Sequence, residues 1–197
     1  MTGLPSHIFF CLQFNDILGK VNSMTKSKNG NVFIIGPMGA GKTTVGKKLA
    51  KKLNKKFIDS DKEIEKSTGA SISLIFDVEG ESGFREWESK ILAELAKEND
   101  IVLATGGGAI LSESNRKILM KKGLVIYLEA SPELILKRTA YDNSRPLLDT
   151  EDRAETIKEL LKTRIPIYEN CADYTVNVDK KSADRISSEV CDWIDTK

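Results

Sequence analysis

Eight residues, Gly36-Pro37-Met38-Gly39-Ala40-Gly41-Lys42-Thr43, satisfy the pattern G-x-x-x-x-G-K-[ST]. Such a loop wraps phosphate oxygens with backbone N–H groups, which its glycines leave uncovered. The helix that follows turns its positive N-terminal end toward the same anion. Lys42 adds a mobile point charge that can follow a phosphate in transfer. The hydroxyl of Thr43 is of the type that ligates Mg²⁺. The context fits the motif, because the apolar run Val32-Phe33-Ile34-Ile35 precedes it and a helical pattern from Val45 to Leu53 follows. The chemistry these residues suit is the binding of a nucleoside triphosphate.

Two more polar clusters follow apolar runs. Asp59-Ser60-Asp61 places two carboxylates two residues apart, and in an extended segment both point the same way. One could reach Mg²⁺ directly or through water, and the other could accept a proton from an attacking hydroxyl. Capping of the helical stretch Lys62-Glu63-Ile64-Glu65 by Asp61 is the structural alternative. Thr105-Gly106-Gly107-Gly108 follows Ile101-Val102-Leu103-Ala104. Its three glycines allow a bound molecule close to the backbone and offer N–H donors. Arg85, Arg138, Arg145 and Arg164 lie outside the apolar stripes, and guanidinium groups grip carboxylates and phosphates in a bidentate way.

The elements that must hold these clusters are legible in the periodicity. Phe57-Ile58, Ile101 to Ala104, Leu124 to Leu128 and Tyr174 to Val178 read as further strands. Ser131-Pro132 and Ser182 are helix-starting signals. Phe84, Trp87, Ile91 and Leu95 recur at helical spacing, as do Ile157, Leu160, Leu161 and Ile165, and later Ile186, Val190 and Ile194. These stripes face a core. Strand–helix alternation with short, continuously apolar strands predicts an α/β fold with a parallel sheet covered on both faces. Ligands gather at the carboxyl ends of such strands, so 36–43, 59–61 and 105–108 should converge. The polar segment from Tyr141 to Thr150 has no regular period and reads as a mobile lid, about 139–152.

The chain has 197 residues, 40% hydrophobic and 30% charged, with a net charge of +1. These values suit one soluble domain and give no global field for nucleic acid. Cys11, Cys171 and Cys191 are odd in number and widely spaced, which argues against a disulfide framework or a zinc site and for the cytoplasm. No apolar run approaches the roughly 18 residues of a membrane span. Residues 1–30 read as an N-terminal tail, disordered or non-native, with Met24 as an alternative start and a small docking segment as the other reading; 31–197 read as a single domain.

From about residue 31 to 195 the chain resembles shikimate kinase, a nucleoside-monophosphate-kinase-like enzyme. The resemblance rests on Gly36 to Thr44, Phe57 to Asp61, Ile75-Phe76, Glu79 to Arg85, Ala104 to Gly108, Arg145-Pro146-Leu147-Leu148 and Arg164-Ile165-Pro166-Ile167-Tyr168. It implies a three-layer α/β/α P-loop fold with a five-stranded parallel sheet, acting on ATP and shikimate with Mg²⁺, as a monomer. By the same resemblance Gly39, Ala40, Gly41, Lys42, Thr43 and Thr44 would hold the ATP phosphates, with Thr43 and Asp59 at the metal. Asp61 would bind shikimate hydroxyls and act as, or orient, the base. Arg85 and Arg164 would clamp the carboxylate over the floor Gly106, Gly107 and Gly108, with Phe76 and Phe84 against the ring. Arg145 would reach the phosphates from the lid, with Arg138 nearby. The family often carries an arginine near adenine after the last strand; here the segment reads Asp179-Lys180-Lys181-Ser182, which leaves Lys181 for that place.

Other P-loop small-molecule kinases, for gluconate or a nucleoside monophosphate, are the same-class rivals. A GTP-dependent switch is the rival from another class, because Asp77-Val78-Glu79-Gly80 spells D-x-x-G; no N-K-x-D follows it. A regulatory module without catalysis is the third, and the intact Lys42, Thr43, Asp59 and Asp61 oppose it.

Overall fold

The computed structural model describes residues 30–140, 148, 150 and 152–197. Five strands, β1 (Asn31–Ile35), β2 (Lys56–Asp59), β3 (Ile101–Ala104), β4 (Gly123–Glu129) and β5 (Tyr174–Asn177), form one parallel sheet in the order β2-β3-β1-β4-β5. Every residue of β1 is buried. Because side chains alternate along a strand, Phe33 and Ile35 enter one core layer while Val32 and Ile34 enter the other. That two-sided burial is why the strand reads as an unbroken apolar run.

Helices cover both faces. Helices α1 (Lys42–Leu53), α5 (Pro132–Thr139) and α7 (Ala183–Ile194) pack on the Val32 side. Helices α2 (Ser60–Thr68), α3 (Ile72–Leu95) and α4 (Glu113–Lys122) pack on the Phe33 side. Helix α6 (Arg153–Cys171) serves both, with Ile157 and Leu161 in the first layer and Tyr168 and Cys171 in the second. Arg164 therefore lies where this helix passes between layers, and the helix continues through Pro166. The starting signals at Ser131 and Ser182 hold: each hydroxyl accepts a backbone N–H in the first turn of its helix.

Two expectations change. Asp59 and Asp61 do not share an extended segment, because β2 ends at Asp59 and α2 begins at Ser60. The cap of α2 is Asp59, whose Oδ1 accepts the Asp61 N–H at 3.1 Å, so Asp61 is freed from capping. The D-x-x-G at 77–80 lies inside α3, where Gly80 (φ 72°, ψ −178°) makes a kink and Val78 is 74% exposed. Residues 1–29, Arg145 and most of the expected lid lie outside the described residues. Among the described residues no helix is long and apolar enough to cross a membrane.

Candidate active site

The phosphate loop connects β1 to α1. Gly41 sits at the α1 N-cap with φ 94°, a left-handed conformation that side-chain-bearing residues rarely adopt. The loop is braced through its own carbonyls: Lys42 Nζ donates to Gly36 and Pro37 oxygens, both at 2.8 Å. Arg138, from the last turn of α5, donates to the oxygens of Gly39 and Ala40 at 2.9 and 3.1 Å. The Ala40 N–H is taken by the Pro37 oxygen at 3.3 Å, so an anion would meet the N–H groups around it and at the start of α1. Thr43 Oγ1 donates to Asp59 Oδ2 at 2.7 Å. A hydroxyl and a carboxylate in contact are hard oxygen donors of the kind Mg²⁺ takes, with phosphate and water oxygens completing its shell. Thr44 is exposed in the first turn of α1.

Next to the loop lies a cavity of about 400 Å³, within the size range of small-molecule sites. Thr43, Asp59, Asp61, Phe76, Phe84, Arg85, Gly106 to Gly108 and Arg164 all line it. The three polar strand ends do converge, as the parallel sheet requires. Phe76 and Phe84 form one apolar wall, with ring centroids 4.8 Å apart. The Arg85 guanidinium lies 5.2 Å from the Phe84 centroid. The glycine floor is glycine for reasons of space: a β-carbon on Gly108 would overlap the Arg85 guanidinium, and one on Gly106 would overlap Glu88 Oε1.

Arg85 is held by two carboxylates of its own helix. Its Nη1 donates to Glu88 Oε2 and its Nη2 to Glu81 Oε1, both at 2.8 Å. Burial opposes its charge, but Glu88 and Glu81 outweigh that, so its pKa is raised and it stays a cation. Burial pushes the Glu88 carboxyl up from its ordinary value, Arg85 pulls it back, and the nearby Asp61 charge adds to the rise. Glu88 is a buried charged residue whose Oε1 has no hydrogen-bond partner among the described residues. Arg164 is 5% exposed, so its guanidinium sits in the cavity wall and not on the surface.

The sequence reading missed Glu81, Glu88 and Ser60. The first two stand four residues before and three after Arg85, the spacing of neighbours on a helix face, which was the available signal. Ser60 Oγ, fully buried, accepts the Gly106 N–H at 2.9 Å. Gly106 thus contributes space, and its N–H is already used. Lys181 Nζ donates to both carboxylate oxygens of Glu189 of α7, at 2.9 and 2.7 Å.

A family model described as shikimate kinase matches residues 38–195. The shikimate kinase of Nitrosococcus oceani is 51% identical over 162 residues, covering 82% of this chain and 85% of that protein. The shikimate kinase of Pasteurella multocida is 51% identical over 166 residues, covering 84% of this chain and 95% of the relative. Among solved structures, shikimate kinase from Acinetobacter baumannii in complex with shikimate superposes with a TM-score of 0.83 at 46% identity, covering 84% of this chain and 93% of that one. With a phosphate loop beside a cavity walled by arginines and floored by glycines, and with these likenesses spanning the domain, the chain belongs to the shikimate kinase family of ATP-dependent small-molecule kinases.

Proposed function

We propose that this protein transfers the γ-phosphate of ATP to the 3-hydroxyl of shikimate, with the residues of the cavity in defined roles. The observation that carries the reading is the pairing of a phosphate loop with a cavity that offers a carboxylate, two arginines and a glycine floor within reach of one small anion. An anionic polyol needs cations for its carboxylate, an acceptor for its hydroxyl proton and close backbone donors. Arg85 and Arg164 supply the first, Asp61 the second, and Gly107 with Gly108 the third. A neutral sugar would bring the buried Arg164 no carboxylate, whereas Arg85 already has Glu81 and Glu88.

In the transfer, the 3-hydroxyl oxygen bonds to the γ-phosphorus as the bond from that phosphorus to the β–γ bridging oxygen breaks. ADP leaves, and the hydroxyl proton passes to the Asp61 carboxylate. Such transfer needs alignment and charge neutralisation more than covalent help. Lys42 neutralises charge spreading over the γ-phosphate, with Arg145 of the 139–152 segment assigned to the same task. Thr43 and Asp59 would hold Mg²⁺, which when bound neutralises phosphate charge. The product feeds aromatic amino-acid biosynthesis.

Coupled measurement of ADP release tests the assignment. Release should depend on shikimate and stay near background with gluconate or a nucleoside monophosphate. Release unchanged by shikimate would remove the acceptor from this reading.

A further inference from the structure

Tyr168, the last residue of the stretch 164–168, has no role in the scheme above. It stands four residues after Arg164 on α6, so both side chains leave the same face of that helix. The residue is fully buried, and its ring stacks on Tyr127 of β4 with centroids 4.9 Å apart and 15° between planes. Its hydroxyl donates to the carbonyl oxygen of Gly107 at 2.5 Å. The Tyr127 hydroxyl, in the same stack, has no hydrogen-bond partner among the described residues. Ring stacking accounts for both aromatic bodies; only the oxygen of Tyr168 reaches the glycine floor.

Three successive glycines have more backbone freedom than any other tripeptide, and fixing them costs the most entropy. A floor that must present N–H donors at set positions therefore needs outside anchors. One is Ser60, which holds the Gly106 N–H. The following turn holds the Gly106 and Gly108 oxygens through the Ala109 and Leu111 N–H groups at 3.3 and 2.9 Å. The Gly107 oxygen is held by Tyr168. No peptide bond among the described residues is cis, and in a trans peptide the N–H points opposite to the carbonyl. A Gly107 oxygen drawn toward the core thus turns the Gly108 N–H away from it. Gly107 and Gly108 both line the cavity, and neither N–H makes a hydrogen bond among the described residues. Burial pushes the Tyr168 phenol up, with the Arg164 charge pulling it partly back, so the hydroxyl stays a donor at neutral pH.

We propose that Tyr168 is a positioning residue for the phosphoryl acceptor: its hydroxyl fixes the Gly107–Gly108 peptide so that the floor donors face the cavity before the acceptor arrives. This rests on the reading that the cavity takes shikimate. Tyr168→Phe removes one oxygen and keeps the ring stack. It should raise the KM for shikimate about tenfold, the scale of one lost buried hydrogen bond, while the KM for ATP stays within about twofold. Tyr127→Phe removes the partnerless hydroxyl of the same stack and should leave both constants within about twofold. In the ligand-free parent protein, ¹⁵N relaxation should give Gly106 to Gly108 order parameters near the rigid value of about 0.85, falling in Tyr168→Phe. A shikimate KM within about twofold of the parent in Tyr168→Phe, or a parallel rise of both KM values, overturns the proposal. Order parameters below about 0.6 at Gly107 and Gly108 in the parent overturn it without any variant having to fold. A parent protein whose ADP release ignores shikimate overturns the cavity reading and this proposal together, which separates that failure from the others.

Discussion

The nucleotide half and the acceptor half of the site are built on different plans. The nucleotide half is one contiguous loop, and its bracing is cation to carbonyl: Lys42 on Gly36 and Pro37, Arg138 on Gly39 and Ala40. The acceptor half draws Asp61 from α2, Arg85 from α3, the floor from the end of β3 and Arg164 from α6. Its bracing is by side chains: Glu88 one turn along the same helix on Arg85, and, from distant segments, Ser60 on Gly106 and Tyr168 on Gly107. A phosphate group is alike in every nucleotide, so backbone donors in a short loop suffice. A ring with a carboxylate at one end and hydroxyls at the other needs charges of both signs held apart, and that takes several elements.

Substitutions should separate the halves. The largest effect is expected for Asp61→Asn, which removes the proposed proton acceptor and should lower turnover by about 10²- to 10⁴-fold with ATP binding kept. Full turnover in that variant would dissolve the division of labour between the halves. Arg85→Ala removes a charge-assisted contact of about 1.5–3 kcal/mol, so the shikimate KM should rise at least tenfold with the ATP KM little changed. An effect confined to ATP would move Arg85 to the other half.

Glu88→Gln sharpens the comparison through pH. Burial holds the folded Glu88 pKa above its ordinary 4.5. The folded state therefore keeps a proton that the unfolded chain releases as pH rises past 4.5. This group's contribution to stability is fully present below that value and is lost as pH rises through the folded pKa. Thermal melts over this window should show the parent losing stability relative to Glu88→Gln as pH rises; a constant difference in Tm would show that Glu88 is already ionised throughout. The smallest effect is expected for Lys181→Ala. Its partner is Glu189, and a partly exposed ion pair is worth about 1 kcal/mol or less, so the ATP KM should stay within about twofold. A tenfold rise would return Lys181 to the nucleotide.

The two halves also differ in how far they could be read before folding. The residues of the loop at 36–43 were legible whole, because they are contiguous, but its Arg138 brace comes from far along the chain. The five strands and the stripes of α3, α6 and α7 were legible from apolar periodicity, which reports burial directly. The pairing at 59–61 was legible in composition but not in geometry, since the change from strand to helix at Ser60 depends on which residue caps.

Residue order alone thus determined the fold class, the phosphate chemistry and the candidate list of carboxylates, arginines and glycines. Tertiary structure decided which of them meet and what holds them. It set Arg164 in the cavity wall, because α6 crosses from one core layer to the other there. It paired Lys181 with Glu189. It also joined Tyr168 to Gly107, 61 residues apart in the chain. Local pattern encodes burial and backbone conformation over a few residues, whereas contacts at that separation exist only once the sheet and its helices have packed.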